Sequence, residues 1–450
     1  ILIYIIEPEL WKQKDMSLRQ WQFTLDSLKD LQQQLINNNL YLNILCGDAL
    51  EIFKFLKKKY NFDSVISEQE TGIKWTFERD KKLKSFFLQN DIHWIECVYP
   101  GVRRGHHDRN QWAKFFRKDI LRYPNIPVIK QSINLGLKNY DLPKTFYDTT
   151  PCPNRQKGGS REAEKLLSTF LNSRGENYQY EMSSPISAEK SCSRLSTHLT
   201  YGTISHRSVF QEATQKKERI QLTNKKFAKS INSFLSRLHW RSHFIQKLED
   251  QPSIEHESFI PVYDQIREKD FRKLDAWIEG KTGVHFIDAC MIYLRNHGWI
   301  NFRMRAMLAS FASYNLWLDW RYFGPRLAAL FTDFEPGIHY SQLQMQSGTT
   351  GINTIRMYNP YKQALDQDPE AKFIKSQLPE YNNFPPSFFF KPPELSNNEN
   401  LFNDSKLETI VDVTKTAKFA RDKIFSIRKL PEHQKMAKNV FIRHGSRQNR

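Results

Sequence analysis

The chain has 450 residues, of which 39% are hydrophobic and 13% aromatic, so it is long enough for about two or three domains with packed cores. The net charge of +18 favours an anionic partner, most often nucleic acid, although an AT-rich genome that inflates Lys, Asn and Ile is an alternative cause. Wide cysteine spacing excludes a C-x-x-C zinc or redox motif, and no apolar run is long enough to cross a bilayer.

The first hundred or so residues alternate between short apolar runs and amphipathic runs. The apolar runs are "ILIYIIE", "LYLNILCGDA", "DSVISEQET" and "IHWIECV". Between them, the spacing predicts helices over 17–35, 50–59 and 74–89. Strands that alternate with helices are typical of a parallel sheet in an α/β domain. Because no Gly-x-Gly-x-x-Gly follows a strand, a dinucleotide fingerprint is not predicted.

The remaining chain predicts a different architecture. Residues 134–159 are irregular and contain several Pro and Gly, which indicates a linker between domains. Helical periodicity then dominates to about residue 330, with helices predicted over 161–171, 225–248, 284–296 and 301–320. We therefore divide the chain into an α/β domain (1–133), a linker (134–159), an all-α domain (160–390) and a C-terminal extension (391–450). The extension is partly basic and is expected to be the most loosely ordered part.

A Gly-Lys-Thr at residues 280–282 matches the end of a phosphate-binding loop. The rest of that motif is absent, because Asp275 occupies the first glycine position and the preceding residues are helical and charged rather than a strand. We interpret Gly280 and Gly283 as a helix stop and a turn, with Lys281 near the carboxyl end of the helix, where a cation is favoured.

The run "SCSRLSTHLTYGTIS" is a stronger phosphate candidate. Ser193 and Ser196 flank Arg194 just before a helical segment, and free N–H groups, hydroxyls and a guanidinium together suit a pyrophosphate. An ordinary serine cap is the equally weighted alternative. Further along, Arg303 and Arg305 lie in a mostly apolar helix that we expect Asp319-Trp320-Arg321 to close, and a buried arginine there needs an anionic partner.

These motifs together resemble the photolyase/cryptochrome family of FAD-dependent blue-light flavoproteins. The resemblance runs from the first strand to about Glu380, through "SRLS", "WR" at Trp240, "EGKTG", "LDWR" and "RMYNP". It implies an N-terminal antenna domain and an all-helical domain that holds U-shaped FAD. Members either repair pyrimidine dimers in ultraviolet-damaged DNA by light-driven electron transfer or act as photoreceptors.

The resemblance also assigns individual residues to cofactor binding, DNA binding and catalysis. It places FAD against Tyr180, Cys192 (where Thr is usual), Ser193, Arg194, Leu195, Ser196, Phe234, Arg237, Arg241, Phe302, Arg305 and Asp333. It places DNA phosphates at Arg303 and Arg356, with Trp240 also facing DNA. The residues it assigns to lesion chemistry and electron transfer are Trp240, Trp299, Arg237 and Trp320. An aromatic wall such as Trp240 could stack on a flipped dimer.

Several positions depart from the family pattern around the lesion. Dimer photolyases place a Glu where this chain has Arg237. They usually have Asn at the position of Phe302 and Met at that of Ala306, and the (6-4) enzymes need His at both positions. Without those histidines the (6-4) chemistry lacks its usual proton donor. Only Cys290 lies well inside the C-terminal half, so neither an iron–sulfur cluster nor another metal site is expected.

The family's tryptophan chain to the flavin is also interrupted. Trp320 is present, but its inner partner aligns with Ser341 and its outer one with Val262, beside Tyr263. The residue that faces the reactive flavin nitrogen aligns with Ile338. An alignment shift would instead place His339 or Gln342 there.

The family normally begins with one more strand, so this chain is expected to start at the second strand and to have an open-edged sheet. Whether an antenna chromophore binds, and which one, therefore stays open. The leading hypothesis is a light-dependent repair enzyme for cyclobutane pyrimidine dimers that acts on ultraviolet-damaged DNA. Its alternatives are a cryptochrome-like photoreceptor without repair activity and a (6-4) photolyase with an atypical site. We expect a monomer in a bacterial cytoplasm, with no membrane partner.

Overall fold

The computed structural model describes residues 1–105, 109–123, 127–137, 143–392 and 409–445. Its N-terminal part alternates strands and helices, as the sequence predicts. The elements are β1 (Leu2–Ile6), α1 (Pro8–Trp11), α2 (Leu18–Ile36), β2 (Leu42–Cys46), α3 (Ala49–Tyr60), β3 (Ser64–Glu68), α4 (Lys74–Gln89), β4 (His93–Cys97) and α5 (Trp112–Ile120). Local signals fix these boundaries: Ser17 and Gln20 form a capping box that starts α2, and Asp48 accepts a hydrogen bond from the Glu51 N–H at the start of α3.

The four strands form two separate parallel pairs. In the first, Leu2 of β1 lies opposite Leu42 of β2; in the second, Ser64 of β3 lies opposite His93 of β4. A single continuous sheet would need another strand between the pairs, and none of the described residues provides it. Ile66 on β3 is 70% exposed.

The helical part begins at residue 160. Its helices are α6 (Ser160–Thr169), α7 (Tyr178–Glu181), α8 (Ala188–Ser191), α9 (Ser196–Thr200), α10 (His206–Ile220), α11 (Lys225–Asp250), α12 (Phe271–Glu279), α13 (His285–His297), α14 (Phe302–Ser310), α15 (Trp320–Leu330), α16 (Pro336–Ser347), α17 (Pro360–Gln367), α18 (Lys372–Gln377), α19 (Val413–Arg428) and α20 (Pro431–His444). The largest core cluster joins α12 to α18 around Trp277, Phe286 and Phe323.

Two long helices form the frame of the site. Helices α11 and α16 approach so closely that a Cβ atom at Gly337 would lie 2.6 Å from the Cα atom of Ile245. Only glycine permits that distance. This contact fixes α16, and therefore the residues on its other faces, relative to α11.

The prediction of one helix over residues 301–320 is wrong. Helix α14 ends at Ser310, a π-helical turn spans Phe311–Asn315, and the backbone of Trp317 is left-handed, with φ of +57°. Asp319 then accepts a hydrogen bond from the Arg321 N–H as the N-cap of α15. Asp319-Trp320-Arg321 thus starts a new helix instead of closing the old one.

The described part of the C-terminal extension is helical and packed. Ala420 and Ile424 of α19 and Val440 of α20 join a core cluster with Ile260 and Tyr263. The expected loose order is therefore wrong for residues 409–445, because these helices have an apolar face to bury. Residues 393–408 and 446–450 lie outside the described chain. None of the described helices is sufficiently long and apolar to cross a membrane.

Candidate active site

The segment before α9 has the properties of an anion cradle. Arg194 is buried and adopts a left-handed backbone with φ of +61°. Neither the Nε atom of Arg194 nor the Oγ atom of Ser196 has a hydrogen-bond partner, although both atoms are buried. Buried polar atoms are rarely left unpaired in a folded protein. These two groups therefore fit a bound pyrophosphate such as that of FAD.

Arg174 holds this segment in place from behind. Its guanidinium donates hydrogen bonds to the carbonyl oxygens of Cys192 at 2.7 Å and Ser193 at 3.4 Å. Burial raises the pKa of the Cys192 thiol to about 12, so the side chain stays neutral and acts as a small apolar group. Leu195 is buried in a neighbouring cluster together with Phe234, whose ring centroid lies 4.8 Å from that of Phe170.

Arg194 also connects the cradle with the predicted lesion wall. Its guanidinium carbon lies 3.9 Å from the centre of the Trp299 ring, which is a close cation–π contact. Glu189 lies 3.9 Å from the same guanidinium and is a weak ion-pair partner. The fold thus brings together Arg194 and Trp299, which are more than a hundred positions apart in the sequence.

Two further arginines are held by carboxylates. Arg305 donates one hydrogen bond to each carboxylate oxygen of Asp333, at 3.0 and 2.8 Å. Arg241 on α11 is buried and donates to Glu335 at 2.7 Å and to the hydroxyl of Tyr99 at 3.1 Å. Both pairs have the geometry of charge-assisted hydrogen bonds, which orient the guanidinium groups firmly.

Burial and charge act in opposite directions in the Arg241 cluster. Burial raises the pKa of Glu335, and Arg241 opposes this rise. Burial would lower the pKa of Arg241, but Tyr99 and Glu335 outweigh it and leave that pKa raised. Burial also raises the pKa of Tyr99 to about 12. Arg241 therefore stays protonated in the interior at neutral pH, in an ion pair with Glu335.

The remaining predicted residues lie at or near the surface. Arg237 and Arg356 are exposed, Trp240 and Arg303 are half-buried, and Tyr180 and Phe302 are 58% and 52% exposed. The Trp240 ring stacks on Phe244 with centroids 5.6 Å apart, and Arg303 donates to the side-chain oxygen of Gln363 at 3.4 Å. Within the described residues, no hydrogen bond, ion pair or ring contact joins these six residues to Arg194 or Ser196, so the structure does not gather them into one cluster with the cradle.

Helix α16 shows which of its side chains point elsewhere. Nε2 of His339 lies 3.0 Å from the Gly324 carbonyl, and burial lowers the pKa of His339 to about 4. Ser341 packs against α11. Gln342, in contrast, has a buried Oε1 atom without a partner. Three residues could face the flavin nitrogen: Ile338, His339 and Gln342. Of these, Gln342 is the one with an unsatisfied side-chain oxygen.

Trp320 is 1% exposed, and its indole N–H donates to Ser258 Oγ at 2.9 Å. No tryptophan appears among the described aromatic contacts of Trp320; its ring neighbour is Tyr340, with centroids 6.3 Å apart. The described residues contain no group of three or more His, Cys, Asp or Glu side chains that could hold a metal ion.

Sequence reasoning missed two of the groups that build this site. Glu335 and Tyr99 hold Arg241 in place, yet neither was assigned a role. Glu335 had a usable signal, because it stands two residues after Asp333 in "TDFEPG". Tyr99 had none, since it meets Arg241 from the α/β domain across 142 positions.

A cavity of about 770 Å³ lies where the α/β part meets the helical part. Residues that follow β1 and β2 line one side, and α4 and the helical domain line the others. The lining includes Lys14, Asp15, Asp48, Trp75, Arg79, Lys82, Glu255, His256, Arg321 and Tyr340. Ligands of open α/β sheets bind outside the carboxyl ends of the strands, where this cavity lies.

Comparisons with known proteins agree with this geometry. The profile of the DNA photolyase domain matches residues 1–99, and the profile of the FAD binding domain of DNA photolyase matches residues 234–426. The chain belongs to the photolyase family. Proteins named cryptochromes match as well. The profile of the FAD binding domain covers the Arg241 and Arg305 pairs, whereas the cradle at residues 192–196 lies before its first matched residue. The chain therefore contains the FAD-binding domain of the photolyases.

Individual relatives extend the match over almost the whole chain. A deoxyribodipyrimidine photo-lyase of Halobacterium salinarum is 30% identical, over 56% of this chain and 55% of its own length. The Escherichia coli protein of that name is 25% identical, over 87% of this chain and 85% of its own. The crystal structure of an archaeal photolyase from Sulfolobus tokodaii, solved with two FAD molecules, superposes with a TM-score of 0.76 at 26% identity and covers 95% of this chain and 93% of that chain.

Proposed function

We propose that the protein is a deoxyribodipyrimidine photo-lyase, a light-dependent flavoenzyme that splits cyclobutane pyrimidine dimers in ultraviolet-damaged DNA. The observation that carries this proposal is the contact between Arg194 and Trp299, 3.9 Å from guanidinium to ring centre. It joins a cradle with unmet hydrogen bonds to Trp299, the buried aromatic side chain that the family resemblance assigns to the lesion pocket.

The residues proposed to hold FAD have different tasks. Ser196 and Arg194 offer the unpaired groups that suit its phosphates, and Arg305 is kept in one orientation by Asp333. Arg241 supplies a buried positive charge next to the same region. The proposed set also includes Tyr180, Cys192, Ser193, Leu195, Phe234, Arg237 and Phe302. When bound and reduced, FAD supplies the light-excited electron that splits the dimer.

The chain's own contribution is position and electrostatics. Trp240 and Trp299 would form the walls of the lesion pocket and exclude water from a flipped dimer, which must leave the duplex to react. Arg237 is exposed on α11, one turn before Trp240. Burial raises the pKa of the Tyr178 hydroxyl, and the nearby Arg237 guanidinium opposes that rise. We assign it the role of donating hydrogen bonds to the dimer's carbonyl groups in place of the usual glutamate.

Arg303 and Arg356 are proposed to neutralise DNA phosphates, since Arg356 is exposed and Arg303 is half-buried. We further propose that the enzyme acts as a monomer in a bacterial cytoplasm. In this scheme residues 1–133 form the antenna domain, 134–159 the linker and 160–390 the catalytic domain, with 391–450 as an extension.

The cavity at the carboxyl ends of β1 and β2 is our candidate site for an antenna chromophore. Its lining combines Trp75 on α4 with charged side chains of both signs, which suits a flat molecule that carries polar substituents. Its identity is not proposed beyond that chemistry. The test is extraction of the purified protein followed by absorption spectroscopy for a second chromophore besides FAD.

Repair of (6-4) lesions is disfavoured by the residues present. That chemistry requires a proton donor beside the lesion, and Phe302 and Ala306 cannot donate a proton. A photoreceptor without repair activity is favoured by one observation, the replacement of the usual glutamate by Arg237. The two readings differ in whether any lesion is lost under light.

One assay tests the proposed function. Purified protein, chemically reduced in the dark, is mixed with an oligonucleotide that carries one thymine dimer and is then exposed to blue light. We expect loss of the dimer in light and none in darkness. Full FAD occupancy without any loss of the dimer would refute repair. Arg237→Ala should lower the repair yield far more than it lowers FAD retention. Loss of FAD from this variant would instead mean that Arg237 belongs to the cofactor pocket.

A further inference from the structure

Tyr340 makes a hydrogen bond that neither FAD binding nor DNA binding requires. It lies on α16, is 2% exposed, and its hydroxyl donates to Asp15 Oδ2 at 3.0 Å. Asp15 belongs to the loop between α1 and α2 and is itself 5% exposed. The pair therefore crosses between the two parts of the chain in a buried position.

The ring of Tyr340 lies beside that of Trp320. Their centroids are 6.3 Å apart and the ring planes are inclined by 62°, an edge contact in which the two aromatic systems are immediate neighbours. Trp320 is buried as well, and its indole N–H is already bound to Ser258. An electron can pass between rings in such contact without an intervening carrier.

The surroundings of Tyr340 allow proton transfer together with electron transfer. Burial raises the pKa of the Tyr340 hydroxyl well above its usual range, so the phenol keeps its proton until the ring is oxidised. Burial also raises the pKa of Asp15, which makes that carboxylate a stronger base. Both residues line the 770 Å³ cavity, which connects the carboxylate with solvent.

We propose that Tyr340 is a redox-active tyrosine that reduces oxidised Trp320 while Asp15 accepts its proton. The tyrosine O–H bond breaks, one electron moves to the Trp320 radical cation, and the proton moves to Asp15 Oδ2. The products are neutral Trp320, a neutral tyrosyl radical at Tyr340 and a protonated Asp15. This inference rests on the proposed function, because bound FAD would supply the light-excited oxidant of Trp320.

The cycle closes with an external thiol. In each turn a thiol releases its proton to solvent and gives one electron to the Tyr340 radical, while the proton on Asp15 returns to the tyrosine oxygen. Two turns produce two thiyl radicals, which combine into one disulfide. In this scheme Tyr340 and Asp15 act as the electron donor to Trp320, the role of the usual outer tryptophan, whose position aligns with Val262.

The chain contains a matched control for this pair. Tyr263 is also 2% exposed, and its hydroxyl lies 2.8 Å from Nε2 of His433, so it is another buried tyrosine bound to a base. Its described ring neighbour is His433, not Trp320. Tyr263→Phe therefore removes an equivalent hydrogen bond without touching the proposed electron route.

The experiment is electron paramagnetic resonance on full-length protein with oxidised FAD, frozen immediately after blue illumination. We expect a tyrosyl radical signal that narrows when the protein is grown with ring-deuterated tyrosine. The signal should fall at least tenfold in Tyr340→Phe and in Trp320→Phe but persist in Tyr263→Phe. A wild-type-sized signal in a folded Tyr340→Phe protein, or its loss in Tyr263→Phe alone, would overturn the proposal.

Asp15→Asn is the second variant, and it keeps the shape of the hydrogen-bonding group while removing the base. We expect a lower radical yield and a smaller difference between H₂O and D₂O in the rate of radical formation. An unchanged yield and isotope effect would mean that Asp15 only ties the two parts together. FAD content and circular dichroism of each variant verify folding.

Failure of this proposal can be distinguished from failure of the proposed function. Wild-type protein that has been chemically reduced needs no photoreduction, so its repair of a thymine dimer depends only on the lesion site. Repair without a Tyr340 radical would refute the redox tyrosine alone. Detection of the Tyr340 radical without any repair of the dimer would support the photoreduction route and refute the proposed lyase activity.

Discussion

Arg305 and Asp333 form a two-pronged ion pair, with one hydrogen bond to each carboxylate oxygen at 3.0 and 2.8 Å. Asp333 is 2% exposed at its side chain and Arg305 is 25% exposed. Removal of one partner would leave the other charge poorly solvated. We expect Asp333→Ala to lower the free energy of unfolding by about 3 kcal/mol and to weaken FAD retention.

Arg326 and Asp275 provide the matched control. Their ion pair is short as well, but its side chains are 34% and 53% exposed. Asp275→Ala should cost less than about 1 kcal/mol, because water replaces the lost partner. Urea unfolding of the FAD-free proteins measures both values. Equal losses in the two variants would mean that burial does not decide the strength of the Arg305 pair.

The parts of the fold that depend on local sequence pattern could be predicted from the sequence. Helices α2, α3 and α4 follow from their spacing, and α2 and α3 also from their N-caps. The stop at Gly280 agrees with its left-handed backbone, with φ of +71°. The break at Trp317 was missed because an apolar run without Gly or Pro continues through it. There the backbone is set by tertiary packing, for example the hydrogen bond from the Trp317 indole to the Ile266 carbonyl at 2.8 Å.

The site was predictable where it follows a motif and unpredictable where it depends on distant partners. The Arg194 cradle could be read from a single run of residues. The contact between Tyr340 and Asp15 could not, because 325 positions separate the two residues in the sequence. The departure at Arg237 was visible in the sequence, but its exposure required the structure.

Glu255 predicts a pH dependence of stability. Burial raises the pKa of this carboxyl from its ordinary value of 4.5 to about 7, against the opposing hydrogen bond from the Lys74 N–H. The folded protein therefore binds a proton that the unfolded chain has released. The stabilisation is fully present below 4.5 and is lost as pH rises through about 7.

Glu255→Gln should remove this dependence. We expect the Tm of the wild type, relative to that of the variant, to fall between about pH 5 and about pH 8. The exposed neighbour Glu257 offers the control, since Glu257→Gln removes one carboxylate from the same segment without touching Glu255. Thermal unfolding followed by circular dichroism gives the comparison, and parallel curves for wild type and Glu255→Gln would contradict it.

Arg356 predicts the salt dependence of DNA binding. The side chain of Arg356 is exposed. Three positions earlier, the backbone carbonyl oxygen of Asn353 accepts a hydrogen bond from Arg428 at 2.6 Å. If Arg356 neutralises one phosphate, Arg356→Ala should reduce the slope of log K against log salt by about 1. Fluorescence anisotropy on labelled duplex at several salt concentrations measures the slope. Arg326→Ala, which removes one charge from an exposed ion pair elsewhere, should leave the slope unchanged.

Asp288, rather than Lys281, is the residue on which the Gly-Lys-Thr segment depends. Its carboxylate accepts hydrogen bonds from the Thr282 N–H at 2.8 Å, the Thr282 hydroxyl at 2.7 Å and the Gly283 N–H at 2.8 Å. Lys281 is exposed and pairs with Glu279. Asp288→Ala leaves three donors without an acceptor at a buried turn, so we expect a loss on the order of 3 kcal/mol in unfolding free energy.

Lys281→Ala should change stability by less than about 0.5 kcal/mol and leave FAD content untouched. A phosphate-binding lysine would show the opposite result, with loss of bound nucleotide and little loss of stability. Measuring the FAD to protein ratio after gel filtration, together with urea unfolding of both variants, separates the two roles. Loss of FAD from the Lys281→Ala protein at unchanged stability would mean that this turn is part of the cofactor site.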